Sequence, residues 1–181
     1  MKLNNEIMEN QNLNEIINKL KNEDERYASL SRRIQIIYWI VLPIYIILII
    51  HHIVVKNPVV DIIGSTCFLF AMLIFALFFK HYYKEYKYVD YSQPTLVMLK
   101  KAAYRYNPFQ LKTLWILLAV VLIDAGLSLN ASPNFEFISV QVYFLGSMIL
   151  ATVIGLLFWR VRYKPLRDKA LYLIREINGE N

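Results

Sequence analysis

Residues 80–112 read KHYYKEYKYVDYSQPTLVMLKKAAYRYNPFQLK. Seven cations (Lys80, Lys84, Lys87, Lys100, Lys101, Arg105 and Lys112) stand here against only Glu85 and Asp90, and the stretch separates two pairs of long apolar segments. Under the positive-inside rule a short basic loop between membrane spans stays on the cytoplasmic side. Its position then sets the direction of all four flanking segments.

Those segments are 34–55 and 59–79 before the loop, and 114–130 and 138–159 after it. Formal charge nearly vanishes across each of them, over the roughly 20 residues an α-helix needs to cross a hydrocarbon core. The exceptions are Asp61 and Asp124. The hydrophobic fraction of 57% also exceeds the usual value of about 45–50% for soluble domains. The expected fold is all-α: an integral membrane bundle of four transmembrane helices, up-down-up-down, with amphipathic cytoplasmic helices. It divides into a cytoplasmic helix (1–33), a bundle (34–159) containing the loop 80–112, and a cytoplasmic tail helix (160–181).

Cation placement gives the orientation. Nineteen of the twenty Lys and Arg lie in the N-terminal region, the central loop or the tail, with Lys56 alone in an external turn. Both termini are therefore expected in the cytoplasm, and the protein in the cell (cytoplasmic) membrane as a multi-pass protein. The Asn, Lys, Ile and Tyr usage resembles that of an AT-rich bacterial genome. The net charge of +6 is explained by topology and anionic headgroups, so the lipid bilayer is the expected partner and nucleic acid is not. Cys67 is a single cysteine, which rules out an intramolecular disulfide. The first 33 residues are polar and acidic, so the first apolar segment reads as an uncleaved signal-anchor behind Arg32-Arg33.

Outside the spans, apolar residues fall at helical spacing. Leu13, Ile16, Leu20, Tyr27, Leu30 and Ile34 form a heptad seam interrupted by Glu23, read either as a helix on the protein's own cytoplasmic parts or as a partner-binding coiled coil. No Gly or Pro separates it from the first span. In the loop, Ser92-Gln93-Pro94-Thr95 reads as a helix start with Ser92 or Thr95 as cap, and Asn107-Pro108 as its end. Leu96, Leu99, Ala103 and Tyr106 share its apolar face, with Lys100, Lys101 and Arg105 pointing elsewhere, the pattern of a helix lying in the membrane interface. In the tail, Leu166, Ala170, Leu173 and Ile177 make one stripe.

Asp124 is the sharpest candidate for chemistry. It sits about 9 Å below the outer end of its helix, where a carboxylate is costly. Depth matching makes Ser65, Thr66, Tyr143 and Ser147 its candidate hydrogen-bond partners. It reads either as interhelical glue or as a titrating group on a transport path. Ser147, Ala151 and Gly155 form a small-residue packing face, whose expected neighbour is the third span with Ala119, Gly126 and Ser128; a homo-oligomer is the other option. His51, His52 and Asp61 are too few and too divergent for a metal site. No metal, cofactor or catalytic residue is assigned, because the enzyme motifs with a readable mechanism are absent. The expected function is a non-enzymatic interaction, regulatory or scaffold protein that holds a cytoplasmic or membrane protein through its cytoplasmic helices. The alternative is a small oligomeric transporter or channel.

Overall fold

The computed structural model describes residues 2–108, 110–130 and 137–179, with side chains from residue 13 onward and, in the last segment, from 138. Among the described residues all regular structure is helical: α1 (Lys2–Val54), α2 (Val59–Lys87), α3 (Thr95–Arg105), a 3-10 turn (Leu111–Thr113), α4 (Leu114–Leu129) and α5 (Phe137–Asn178). Four helices are long and apolar enough to cross a membrane. The expected turn at 131–137, with Pro133 and Glu136, falls almost wholly outside the described residues.

Helix lengths exceed those of the apolar segments. α1 continues from its polar part into the charge-free 34–55 stretch without a break. Pro43 lies inside the helix, where it removes the bond its N–H would have made to the Trp39 carbonyl. α2 carries on past Phe79 to Lys87, so the basic aromatic run KHYYKEYK is helical. α5 runs through Pro165, and the tail expected as a separate helix is therefore its continuation.

The turn after α1 has a specific geometry. Asn57 N–H donates to the His52 carbonyl (3.0 Å) and Lys56 N–H to that of Ile53 (3.2 Å). This is a Schellman arrangement, in which the residue after the helix takes the left-handed conformation usually given to glycine. Here it is Lys56, with φ 60°.

The chain forms two compact units. The polar unit comprises Met1–Ser29, Lys84–Pro108 and Leu156–Asn181. Its core is Ile16, Leu20, Ala28, Tyr86, Met98, Leu99, Ala102, Ala103, Tyr106, Ala170 and Leu173, all buried. Each large aliphatic member removes surface worth about 1.5–3 kcal/mol from water.

The apolar unit comprises Leu30–Tyr83 and Phe109–Gly155. α2 is its centre, since 22% of its most apolar window is buried against 11% or less for the other spans. Tyr38 stacks on Phe75 and Phe79, and Tyr45 on Phe68, which joins α1 to α2. α4 closes on α2 where both lack side chains. A Cβ on Gly126 would lie 2.9 Å from Phe68 and 3.0 Å from the Gly64 carbonyl oxygen.

Candidate functional site

The polar unit is organised around the carboxylate of Asp24, which is 1% exposed. Arg105 Nη2 donates to its Oδ2 at 2.8 Å, Tyr91 Oη donates to the same oxygen at 2.5 Å, and Tyr106 Oη donates to Oδ1 at 2.6 Å. A buried charge is tolerable when an opposite charge and further hydrogen bonds satisfy it. Burial pushes the Asp24 carboxyl above its ordinary range, while Arg105 and the two hydroxyls pull it back down. Burial, followed by the carboxylate they serve, raises Tyr91 and Tyr106 far above an ordinary phenol.

The neighbouring acid is paired as well. Arg162 of α5 grips Glu23 through two parallel bonds, Nε to Oε2 at 2.8 Å and Nη2 to Oε1 at 2.7 Å. That fork geometry is the strong form of an Arg–carboxylate contact. Glu23 looks in sequence like a break in the seam, and here it is a cross-link from α1 to α5.

Four tyrosines from four chain segments form a closed ring beside these pairs. Ring centroids lie 4.3 Å apart for Tyr27–Tyr86, 6.3 Å for Tyr86–Tyr106, 5.7 Å for Tyr106–Tyr163 and 5.8 Å for Tyr163–Tyr27. Tilted and offset aromatic pairs add about 0.5–1.5 kcal/mol each beyond burial. Two neighbours also satisfy carbonyls that the end of α3 leaves open. Tyr86 Oη donates to the Arg105 carbonyl (3.0 Å) and Trp159 Nε1 to that of Tyr106 (2.8 Å).

A cleft of about 470 Å³ opens on this unit beside Arg105, lined by Glu85, Tyr88, Asp90, Lys100, Lys101 and Tyr104 among others. Tyr88 and Tyr104 are 74% and 61% exposed. Asp90 shapes the rim, because its Oδ1 accepts from both the backbone N–H and the hydroxyl of Ser92. Ser92 therefore does not cap α3. The N-cap position is Pro94, whose carbonyl accepts from the Val97 and Met98 amides, and Thr95 makes no cap either.

Several sequence expectations change at this point. The seam residues Ile16 and Leu20 are buried inside the polar unit, and Leu13 and Tyr27 are partly buried; Leu30 alone is well exposed. The centre of the seam is thus covered by the chain itself, the first of its two sequence readings. α3 does not offer its apolar face to an interface, because Met98, Leu99, Ala102 and Ala103 pack into the unit. Arg105, expected to point away from that face, is buried on Asp24.

In the apolar unit, Asp124 Oδ1 accepts from Gln141 Nε2 at 2.9 Å, and the same amide reaches Ser128 Oγ at 2.8 Å. Gln141 was not among the expected partners. Thr66 and Ser147 turn their hydroxyls to carbonyls of their own helices, at Ile62 and Phe144. Ser65 is buried, whereas Tyr143 is 73% exposed. The small face of α5 does not meet the third span. Ser147, Ala151 and Gly155 are exposed, and a Cβ on Gly155 would meet nothing within 4 Å. Gly126 faces α2 instead.

No protein family, curated protein or solved structure matches this chain.

The chemistry of the polar unit must therefore be judged from its own groups. Asp24 gathers three donors and through them joins α1, α3 and the 88–94 turn. Sequence reasoning missed it because Asp24 and Arg105 look like two surface charges 81 residues apart. A signal did exist: Ile16, Leu20, Asp24 and Ala28 recur every four residues, and all four are buried.

Proposed function

We propose that this is a multi-pass protein of a bacterial cytoplasmic membrane, with four spans running up-down-up-down and both termini in the cytoplasm. Within the apolar unit, Tyr38 meets Phe75 and Phe79 while Tyr45 meets Phe68. Rising numbers on α1 thus meet falling numbers on α2, which supports an antiparallel first pair. The cation distribution supports the orientation.

The function we assign is non-enzymatic: the polar unit lies in the cytoplasm and holds a protein partner at the membrane. One observation carries this reading. The unit without a membrane-length apolar surface has a close-packed core cross-linked by two ion pairs, Asp24–Arg105 and Glu23–Arg162. Such a rigid unit presents its surface in a fixed shape. The docking surface is the cleft beside Arg105 rather than the buried seam. Exposed tyrosines flanked by Lys100 and Lys101 suit a partner segment that carries carboxylates, since tyrosine is enriched where protein surfaces meet.

Gentle extraction of tagged protein from its native membrane tests the reading. Wild type is expected to retain a stoichiometric protein that a Lys100→Glu, Lys101→Glu, Tyr104→Ala variant loses. Wild-type protein that carries no partner, or that supports pH-dependent flux in liposomes abolished by Asp124→Asn, would overturn it in favour of transport.

A further inference from the structure

The apolar unit contains a cleft of about 380 Å³ lined by Ile74, Leu77, Phe78, His81, Lys112 and Trp115. That volume falls within the roughly 300–1,000 Å³ range of ligand sites. Its chemistry is graded from one end to the other. Ile74, Leu77 and Phe78 supply apolar walls on one face of α2, with Trp115 opposite on α4 and 60% exposed. At the other end stand His81 and Lys112, one helical turn beyond Phe78 and Trp115 respectively.

The cationic end is held in place. Lys112 Nζ sits 4.5 Å over the Tyr82 ring, and Tyr82 in turn packs on Phe78 at 4.6 Å. A lysine over an aromatic face is attracted by the ring quadrupole and so gains position. The chain also begins its run into α4 here, at Leu111–Thr113, so the positive end of that helix adds to the same field. A short apolar slot between two spans, closed by fixed positive charge at interface depth, matches a phospholipid with a negative headgroup. A water-soluble anion would gain nothing from the apolar walls, and a zwitterionic lipid gains less from the Lys112 charge.

We propose that this cleft binds one anionic phospholipid of the cytoplasmic leaflet. Its phosphate lies at Lys112 and His81, and an acyl chain lies along Ile74, Leu77, Phe78 and Trp115. The inference rests on the membrane placement above, whose failure would show separately as protein that does not insert into vesicles.

The test uses full-length protein in phosphatidylcholine vesicles doped with brominated phosphatidylglycerol or brominated phosphatidylcholine. Quenching of Trp115 is the readout, obtained by comparing each protein with its Trp115→Phe form. Salt of about 0.5 M removes diffuse attraction to the other surface cations. Brominated phosphatidylglycerol is expected to bind beside Trp115 about fivefold better than phosphatidylcholine through the Lys112 charge. The preference should disappear in Lys112→Ala, His81→Ala protein and persist in Lys112→Arg. Leu77→Trp keeps Lys112 and His81 but fills the slot, so it guards against a misfolded polar variant and should also lose the preference. Equal quenching by the two lipids in wild type, or a preference that survives Leu77→Trp or the loss of Lys112 and His81, would overturn the proposal.

Discussion

Arg105 Nη2 lies 2.8 Å from Asp24 Oδ2, and both side chains are buried. The pair ties α3 to α1 across 81 residues of chain. Removing one member of a buried pair leaves the other charge without compensation, at a cost of about 3–5 kcal/mol, whereas replacing both with apolar groups is far milder. Asp24→Leu and Arg105→Leu should each destabilise the polar unit by that amount, and the double variant should lose clearly less than the sum. Denaturation in mild detergent, followed by Trp159 fluorescence in a Trp39→Phe, Trp115→Phe background, reads this because Trp159 donates to the Tyr106 carbonyl beside the pair. Additive losses would show that the two residues do not act together.

Alkaline pH should loosen the same unit. Burial first, and then Tyr163 and Glu85, push Tyr27 up to about 12; Tyr91 and Tyr106 are raised as well. In the unfolded chain these phenols ionise near the ordinary value of 10.0, so their contribution is complete below that pH and is lost as pH rises through the folded values. Phenolate absorbance should show a late component that coincides with unfolding. Tyr91→Phe, Tyr106→Phe protein should have a smaller late component, and should be less stable at neutral pH by roughly 1.5–3 kcal/mol per hydroxyl removed from the carboxylate.

Close approach of α4 to α2 makes Gly126 the sensitive glycine. A Cβ there would press on Phe68 and on the Gly64 backbone oxygen, and backbone cannot move aside cheaply. Gly126→Ala should cost about 1–3 kcal/mol, as overpacking does. Gly64→Ala meets the Asn130 side chain first, which can swing away, and should cost less. Gly155→Ala meets open space and should be neutral. Thermal denaturation of the three variants in one detergent ranks them.

For Asp124 the geometry makes the Gln141 amide decisive. Gln141→Leu removes a donor from both Asp124 and Ser128, and should cost about 0.6–1.7 kcal/mol, the range seen for interhelical bonds in membranes. Asp124→Asn keeps an acceptor oxygen and should change stability little. Thermal stability measured alongside liposome flux separates glue from a titrating path. Glue predicts a stability loss in Gln141→Leu and no change of flux in either variant.

The spans were legible because an absence of charge over twenty residues has few other meanings, and 34–55 and 138–159 show it plainly. What the spacing could not give was a neighbour. Ser147, Ala151 and Gly155 do share a face, but a face does not say which helix it meets. Lys100 and Arg105 look alike in sequence, and only packing distinguishes an exposed cation from one folded onto Asp24. Gln141 was overlooked for the opposite reason: a lone amide near a helix start resembles an ordinary boundary residue.

The most direct test of membrane placement is chemical access from outside an intact cell. In a Cys67→Ala background, single cysteines would replace Lys56, Lys101 and Lys169, and an impermeant maleimide would be applied before and after permeabilisation. The account predicts that Lys56→Cys reacts in intact cells, whereas Lys101→Cys and Lys169→Cys react only once the membrane is opened. Labelling of Lys101→Cys or Lys169→Cys in intact cells, with Lys56→Cys protected, would contradict it and place the polar unit on the outer side.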